Sequence, residues 1–391
     1  MTLNRNTNIL ICPLEWGLGH AARMIPLASG LKKMNNNIFI GAGEFHLSLF
    51  RKELPGLTLI NFRGFKPGYS RILPQYLSIF FQIPVFIYHV LKEHHVLKKI
   101  IHEHSIDVVI SDNRIGLWNR NIKTVYITHQ PLIAFPRPFG FLEFIGMKLH
   151  SSVIRRYTYC YIPDLPGDLN LSGRLSHGIK LPPNVRYIGI LSRFSDIDSA
   201  PEDSPVGFRH NTVILSGPEP QRTILEKKLC NILQDRHPPV VILEGKPGED
   251  ENVIRKGNII IYSHLPAVQM KEIIRSSDMI ICRPGYTTIM ELVSLGCGAV
   301  LIATPGQTEQ EYLAAYLGDK DWFVPVPQNR INGDLPDSII VRQEKSREFT
   351  EESRRLLETA LHELSEYKQD NGIKQEPEEK TAPDFPGSMN I

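Results

Sequence analysis

Cysteine is scarce in this chain: there are five in 391 residues, at positions 12, 160, 230, 282 and 297. Their number is odd, their spacing is wide and no C-x-x-C occurs, which excludes a disulfide framework and a structural zinc site and fits a reducing cytosol. Excess charge is lacking as well. Forty-four Lys and Arg stand against 42 Asp and Glu, a net charge of +2, too small a bias to make nucleic acid the main partner. No secretory leader is expected, because the first apolar run is short and leads into a glycine turn.

Charge-free runs of about 20 residues, enough to span a bilayer, are also lacking, with one exception. "ILPQYLSIFFQIPVFIYHVL", residues 72–91, contains no Lys, Arg, Asp or Glu. At about 1.5 Å per helical residue it is long enough to cross a bilayer, but Pro74, Pro84, Gln75, Gln82 and His89 interrupt it. The segment 72–104 reads as helical with a break at Pro84, forming a buried or interfacial pair rather than a span. The basic stretch "KEHHVLKK" beside it suits docking on an anionic membrane surface, and a core helix with a solvated end suits it equally. His94, His95, His102 and His104 show no metal-ligand spacing and are expected on a solvated helix face.

What is present is an ordinary globular composition, 42% hydrophobic and 22% charged, over a length that at roughly 100–200 residues per domain predicts two domains. Short apolar runs alternate with helical periodicity in both halves. "NILICPL", "NIFIGAG", "LTLINF", "IDVVISD", "TVYITHQ" and "VRYIGIL" read as strands of the first half. "TVILSG", "PVVILEG", "NIIIYSHL", "MIICRPG" and "GAVLIATPG" read as strands of the second, with helices near 222–233, 267–276, 287–295 and 309–317. The expectation is an α/β chain of two doubly wound, Rossmann-like domains facing a cleft. Residues 1–195 form the first domain, 196–211 a Ser-, Pro- and Asp-rich linker and 212–342 the second domain. A charged amphipathic helix over 343–368 follows, packing back on the first domain, and then a disordered tail over 369–391.

In such sheets ligands bind beyond the carboxyl ends of the strands, so the turns there carry the candidate chemistry. In "EWGLGHAAR", Gly17 and Gly19 permit positive φ and close approach of a ligand, and the following helix offers free N–H groups to an anion. His20 can exchange a proton near neutral pH. A bare G-x-G lacks the third glycine of a dinucleotide fingerprint and the Gly-Lys-Ser/Thr of a P-loop, and by itself reads as a tight turn. In "CRPGYTTIMELVSLGCGAVLIATPGQTEQEYLAAYL", 282–317, Thr287 and Thr288 can cap a helix and meet a phosphate, and Glu291 lies one turn further on. "DID", 196–198, falls in the linker and reads as solvated acid.

This last segment resembles the donor region of GT-B glycosyltransferases, especially the family-28 group that includes the bacterial N-acetylglucosaminyltransferase making lipid II. Arg283, Gly285, Thr287, Thr288, Glu291, Gly296, Pro305 and Gln310 fit the pattern, and "GLGHAAR" resembles the glycine-rich acceptor turn of the same superfamily. Leu313-Ala314 stands where the family often has Asn-Ala, and the doubled glycines of the lipid II enzyme are absent, so the resemblance does not extend to that substrate.

The resemblance implies transfer of a hexose or N-acetylhexosamine from a UDP-sugar to a hydroxyl acceptor, lipid-linked or part of a cell-envelope glycan. The enzyme would work without a metal or other cofactor, in the cytoplasm or at the inner face of the membrane. His20 is the expected base, with Asp112 or Glu15 as its substitute or orienting partner. Gly217, Pro218, Glu219, Arg222, His264, Leu265, Arg283, Gly285, Thr287, Thr288, Glu291 and Gln310 are the expected donor residues. Within that set Gly217 would lie at the diphosphate, His264 and Leu265 at the uracil and Glu291 at the ribose diol. Gly17, Gly19, Arg23, Asn113, Arg114, His129 and Gln130 are the expected acceptor residues. Two readings stay open beside it: a UDP-sugar hydrolase or epimerase of the same fold, and a non-catalytic nucleotide-sugar-binding protein.

Overall fold

A computed structural model describes residues 6–68, 81–135, 139–195, 197, 207–247, 252–331, 335–336 and 346–366. The first half forms β1 (Asn8–Cys12), α1 (Leu18–Lys33), β2 (Asn37–Ala42), α2 (Glu44–Glu53), β3 (Thr58–Asn61), α3 (Ile83–Glu103), β4 (Val108–Asp112), β5 (Lys123–Ile127), α4 (Leu142–Ile154), β6 (Tyr159–Ile162) and β7 (Val185–Tyr187). The second forms β8 (His210–Ile214), α5 (Gln221–Leu233), β9 (Val240–Leu243), β10 (Val253–Lys256), β11 (Ile259–Tyr262), α6 (Ala267–Ser276), β12 (Ser277–Cys282), α7 (Tyr286–Ser294), β13 (Val300–Leu301), α8 (Thr308–Gly318) and β14 (Val324–Pro325). A last helix, α9 (Ser346–Ser365), follows.

Two seven-stranded sheets result, ordered β3-β2-β1-β4-β5-β6-β7 and β10-β11-β9-β8-β12-β13-β14. Every pairing is parallel except the β10–β11 hairpin. The continuous apolar runs are explained by burial on both faces. Along β1, Ile9 and Ile11 join the cluster under α1, while Leu10 and Cys12 join the one under α3 with Leu97 and Ile100. In the second sheet, Val213 and Ile242 face α5 through Leu225 and Leu229. The opposite face, with Ile280 and Ile289, is continuous with the core of the first domain.

Strand order reverses between β1 and β4 and again between β8 and β12. The turns after these strands therefore sit at the two topological switch points. The helix α7 lies between them and is buried from Tyr286 through Val293, the polar Thr287, Thr288 and Glu291 included. Strand β8 begins at His210, two residues inside the segment read as linker. Most of that linker, residues 72–80 and the tail from 367 lie outside the described residues.

Pro84 does not break a helix. It stands in the first turn of α3, where its missing N–H costs nothing. The first half of α3 presents Ile83, Val85, Ile87, Tyr88 and Leu91 to solvent, and Glu93, Leu97 and Ile100 are its buried residues. His94 is not solvated: it stacks on Trp118 at 4.4 Å and bonds the Gly116 carbonyl. No helix among the described residues is long and apolar enough to cross a membrane.

Helix α9 lies on the first domain. Lys123 Nζ donates to the Glu363 carbonyl at 2.6 Å, and the Tyr161 hydroxyl donates to Glu363 Oε2 at 2.5 Å. Two glycines make the close packing possible: a Cβ on Gly30 would meet Leu361 at 2.7 Å, and one on Gly189 would meet the Ser353 backbone at 2.5 Å.

Candidate active site

The first switch point gathers titratable groups. His20 stands in the first turn of α1, its amide bonded to the Gly17 carbonyl at 3.3 Å. Its Nδ1 lies 2.9 Å from Asp112 Oδ2, at the end of β4. The ring is 20% exposed while Asp112 is fully buried. Burial pushes the His20 imidazole below its ordinary pKa, against the pull of Asp112. Burial also opposes ionisation of Asp112, but the Arg23 guanidinium and His20 outweigh it and hold the carboxyl below its usual range. At neutral pH the pair is therefore a neutral imidazole on an ionised carboxylate. This is the arrangement in which a histidine accepts a proton.

Glu15 takes no part in this pair. Its Oε1 accepts the Gly43 amide at 2.5 Å and so closes the start of α2. Nor do the two glycines adopt positive φ. Gly17 is extended, at φ 174°, and Gly19 lies inside α1. What Gly19 permits is contact between domains: its carbonyl accepts the Thr287 hydroxyl at 3.0 Å, and a Cβ there would sit 3.1 Å from Thr287 Oγ1.

The arginines expected at the acceptor are held by partners within the protein. Arg23 is 1% exposed and lies across Asp112 with Nε 3.1 Å from Oδ2 and Nη2 against Oδ1. Arg114 is 2% exposed; it pairs with Glu93 at 3.1 Å and donates to the carbonyls of Gly41 and Phe62, tying strand ends together. Asn113, between them, adopts left-handed φ of 52°, which Asn tolerates better than most residues, and accepts the Tyr126 hydroxyl at 3.3 Å. His129 and Gln130 reach the second domain: His129 Nε2 is 2.8 Å from Glu309 Oε1, and Gln130 Nε2 donates to Glu309 Oε2 at 3.2 Å.

The second switch point is built of glycines, hydroxyls and backbone. Gly217, at φ 96°, leaves open space where a side chain would be. A Cβ on Gly285 would lie 3.8 Å from Thr288 Oγ1 and 3.9 Å from Ser216 Oγ, so the turns after β8 and β12 adjoin. The free N–H groups at the start of α7 point the same way, which suits an anion.

Around this cradle, several expected donor residues are already engaged. Arg283 is fully buried, donating to the carbonyls of Ile302, Ala303 and Gln221, and burial without a carboxylate partner pushes its pKa down to about 10. It braces the loops, while its Nε is buried without a partner. Glu219 closes the start of α5 by accepting the Thr223 amide and Arg222. Arg222 in turn donates to the Glu244 carbonyl at 2.8 Å, and its own amide donates to the Pro218 carbonyl at 3.3 Å. Gln310 accepts the Thr304 amide at 2.9 Å.

Glu291 is buried and stands 2.7 Å from Arg193 Nε, in the segment joining the two sheets. The contact is close but badly directed for a hydrogen bond, since both atoms lack a partner of good geometry, so it acts as an ion pair. Burial raises the Glu291 pKa and Arg193 counters it. His264 is buried with Nε2 unpartnered; burial, then Lys52 and Arg193, push its pKa down to about 4. Leu265 packs beside it against the shared core. Arg193 and Glu309 were not among the residues singled out in the sequence; both form their pairs with residues distant along the chain.

Residues 223–368 match the family described as Glycosyltransferase family 28 C-terminal domain. The UDP-N-acetylglucosamine--N-acetylmuramyl-(pentapeptide) pyrophosphoryl-undecaprenol N-acetylglucosamine transferase of Bacillus subtilis is 32% identical over 94 residues, 22% of this chain and 26% of that protein, so the match spans about a quarter of the relative's length. An uncharacterized glycosyltransferase of Methanosarcina acetivorans is 24% identical over 329 residues, 78% of this chain and 82% of that one. Among solved structures, the glycosyltransferase SnogD from Streptomyces nogalater matches with a TM-score of 0.55 at 14% identity, covering 92% of this chain and 99% of that one. Two Rossmann-like domains meeting at their switch points define the class as GT-B. Within that fold, residues 223–368 are similar to the family-28 C-terminal domain.

Proposed function

We propose that this protein is a glycosyltransferase that moves a hexose or N-acetylhexosamine from a UDP-sugar to a hydroxyl acceptor. The observation that carries the proposal is the neutral His20 on ionised Asp112, standing where Gly19 touches Thr287 at the start of α7. His20 Nε2 takes the acceptor's proton as its oxygen bonds to the anomeric carbon. The bond from that carbon to the diphosphate breaks, and the departing charge settles on the α7 amides and the Gly217 turn. The sequence supplies these donors without a metal, and the reaction as proposed uses none.

UDP as the nucleotide draws support from the Bacillus subtilis relative's stated donor; Glu291 would serve its ribose only by leaving its ion pair with Arg193. A lipid-linked or cell-envelope acceptor at the inner face of the membrane fits the exposed apolar start of α3. Phe139, Phe141, Phe144, Ile145 and Leu149 around α4 are exposed as well.

A thermal-shift screen of nucleotide sugars, followed by turnover with and without acceptor, tests the reading. Stabilisation by a UDP-sugar and acceptor-dependent release of UDP are expected. Free sugar or an epimer formed without acceptor would replace transfer with hydrolysis or epimerisation. Binding without turnover across a broad acceptor panel would make the protein a nucleotide-sugar binder.

A further inference from the structure

The cluster around Asp112 contains a conflict. Arginine only donates hydrogen bonds and a carboxylate only accepts them. Arg23 Nη1 is 3.2 Å from His129 Nδ1, so that nitrogen accepts, and the His129 proton sits on Nε2, which donates to Glu309. His20 Nδ1, however, faces both Asp112 Oδ2 at 2.9 Å and Arg23 Nη2 at 3.0 Å. One nitrogen cannot satisfy both. If Nδ1 carries the proton, it donates to Asp112 and Nε2 keeps the lone pair that a base needs. If Nδ1 accepts from Arg23, the proton sits on Nε2 and the ring has no lone pair to offer the acceptor.

We infer that Arg23 is a positioning residue that sets the tautomer of His20, and that Glu309 governs Arg23 from across the cleft through His129. The inference rests on His20 being the base. Glu309 polarises the His129 Nε2–H bond and makes Nδ1 a better acceptor for Arg23 Nη1. The guanidinium is a rigid planar fork: with Nη1 on His129, Nη2 lies against Asp112 Oδ1 as well as 3.0 Å from His20 Nδ1, and releasing Nη1 would let Nη2 turn from Asp112 further onto His20. Asp112 is then free to take the His20 Nδ1 proton. A ligand that engaged the Glu309 carboxylate would thus be felt at the base. The ionisable groups facing His20 are Asp112, Arg23 and His129, with Glu309 beyond them. Since burial keeps His20 neutral near pH 7, tautomer rather than charge decides whether it can act.

The test is nitrogen NMR of 15N-histidine-labelled full chain, followed against pH without donor or acceptor, in wild type, Glu309→Gln, Glu309→Asp, Arg23→Lys and the double variant Arg23→Lys/Glu309→Gln. The Nδ1–H signature of His20 is expected in wild type, lost in Glu309→Gln and retained in Glu309→Asp, which keeps the charge. Arg23→Lys has no fork, so adding Glu309→Gln to it should change His20 no further. Identical His20 tautomers in wild type and Glu309→Gln would overturn the inference, as would an undiminished effect of Glu309→Gln in the lysine background. If Arg23→Lys fails to fold, the Gln and Asp variants at position 309 still decide the matter. No turnover is needed, so failure of the transferase reading shows separately, as absent nucleotide-sugar turnover.

Discussion

The two switch points have the same topology and opposite chemistry. At the first, β1 and β4 deliver His20, Arg23, Asp112 and, from β5, His129: a knot of ionisable groups whose protons can move. At the second, β8 and β12 deliver Gly217, Gly285, Ser216 and Thr288, with Arg283 withdrawn into the loops behind. One end gathers ionisable side chains and the other gathers glycine turns and hydroxyls. The contrast teaches that a doubly wound sheet fixes where a ligand binds, while the side chains at its strand ends decide what happens there.

The comparison can be broken most sharply at the proton end. His20→Ala is expected to cut transfer by about 10²–10⁴-fold while nucleotide affinity, measured by calorimetry, stays the same. Near-normal turnover would remove the base from this switch point. Asp112→Asn comes next. It leaves the Arg23 charge buried without its partner and should lower stability by about 3–5 kcal/mol, read from urea unfolding; a loss under about 1 kcal/mol would mean that Asp112 and Arg23 are not the buried pair described.

At the anion end the expected effects are smaller. Gly217→Ala places a Cβ in a left-handed conformation and should cost about 1–2 kcal/mol, with a weaker UDP-sugar shift in melting temperature. An unaltered protein would show that this turn relaxes freely. The gentlest test is pH. His264 has a folded-state pKa of about 4 against an ordinary 6.5, so the unfolded chain binds its proton first. Its contribution to stability is complete above pH 6.5 and declines as pH falls toward 4. Melting temperature should fall over that window, and less steeply in His264→Phe. Parallel curves for the two proteins would contradict the burial of this ring.

Much of this division was legible in the sequence. The alternation of buried runs and helical periods placed both sheets, and α6 falls on the residues read for it, Ala267–Ser276. The strand-end rule put His20, Asp112, Gly217 and Thr287 beside the switch points, where the structure has them. Short or polar elements escaped: β6 is four residues long, and α2, rich in charge, offers only a weak apolar stripe. The arginines misled for a different reason. Arg114 and Arg283 sit just past strand ends and Arg23 one turn beyond His20 in α1, like ligand-binding residues, yet the partners of Arg23, Arg114 and Arg283 are a carboxylate 89 residues away, another 21 away, and backbone carbonyls. Carbonyl partners leave no trace in a sequence. The pairs His129–Glu309 and Arg193–Glu291 join the two halves of the chain, and no local pattern announces them.

The seat of α9 has a consequence for how the molecule is made. Leu361 fits over Gly30, and Ser353 over Gly189, so the outer layer of the first domain is supplied by residues that emerge from the ribosome after the whole second domain. During synthesis the patch over α1 has to wait, uncovered, while more than a hundred later residues are translated. The N-terminal half therefore cannot finish as an independent unit ahead of the rest, as nascent domains ordinarily do. A stop codon anywhere before α9 would damage the part of the protein already made first.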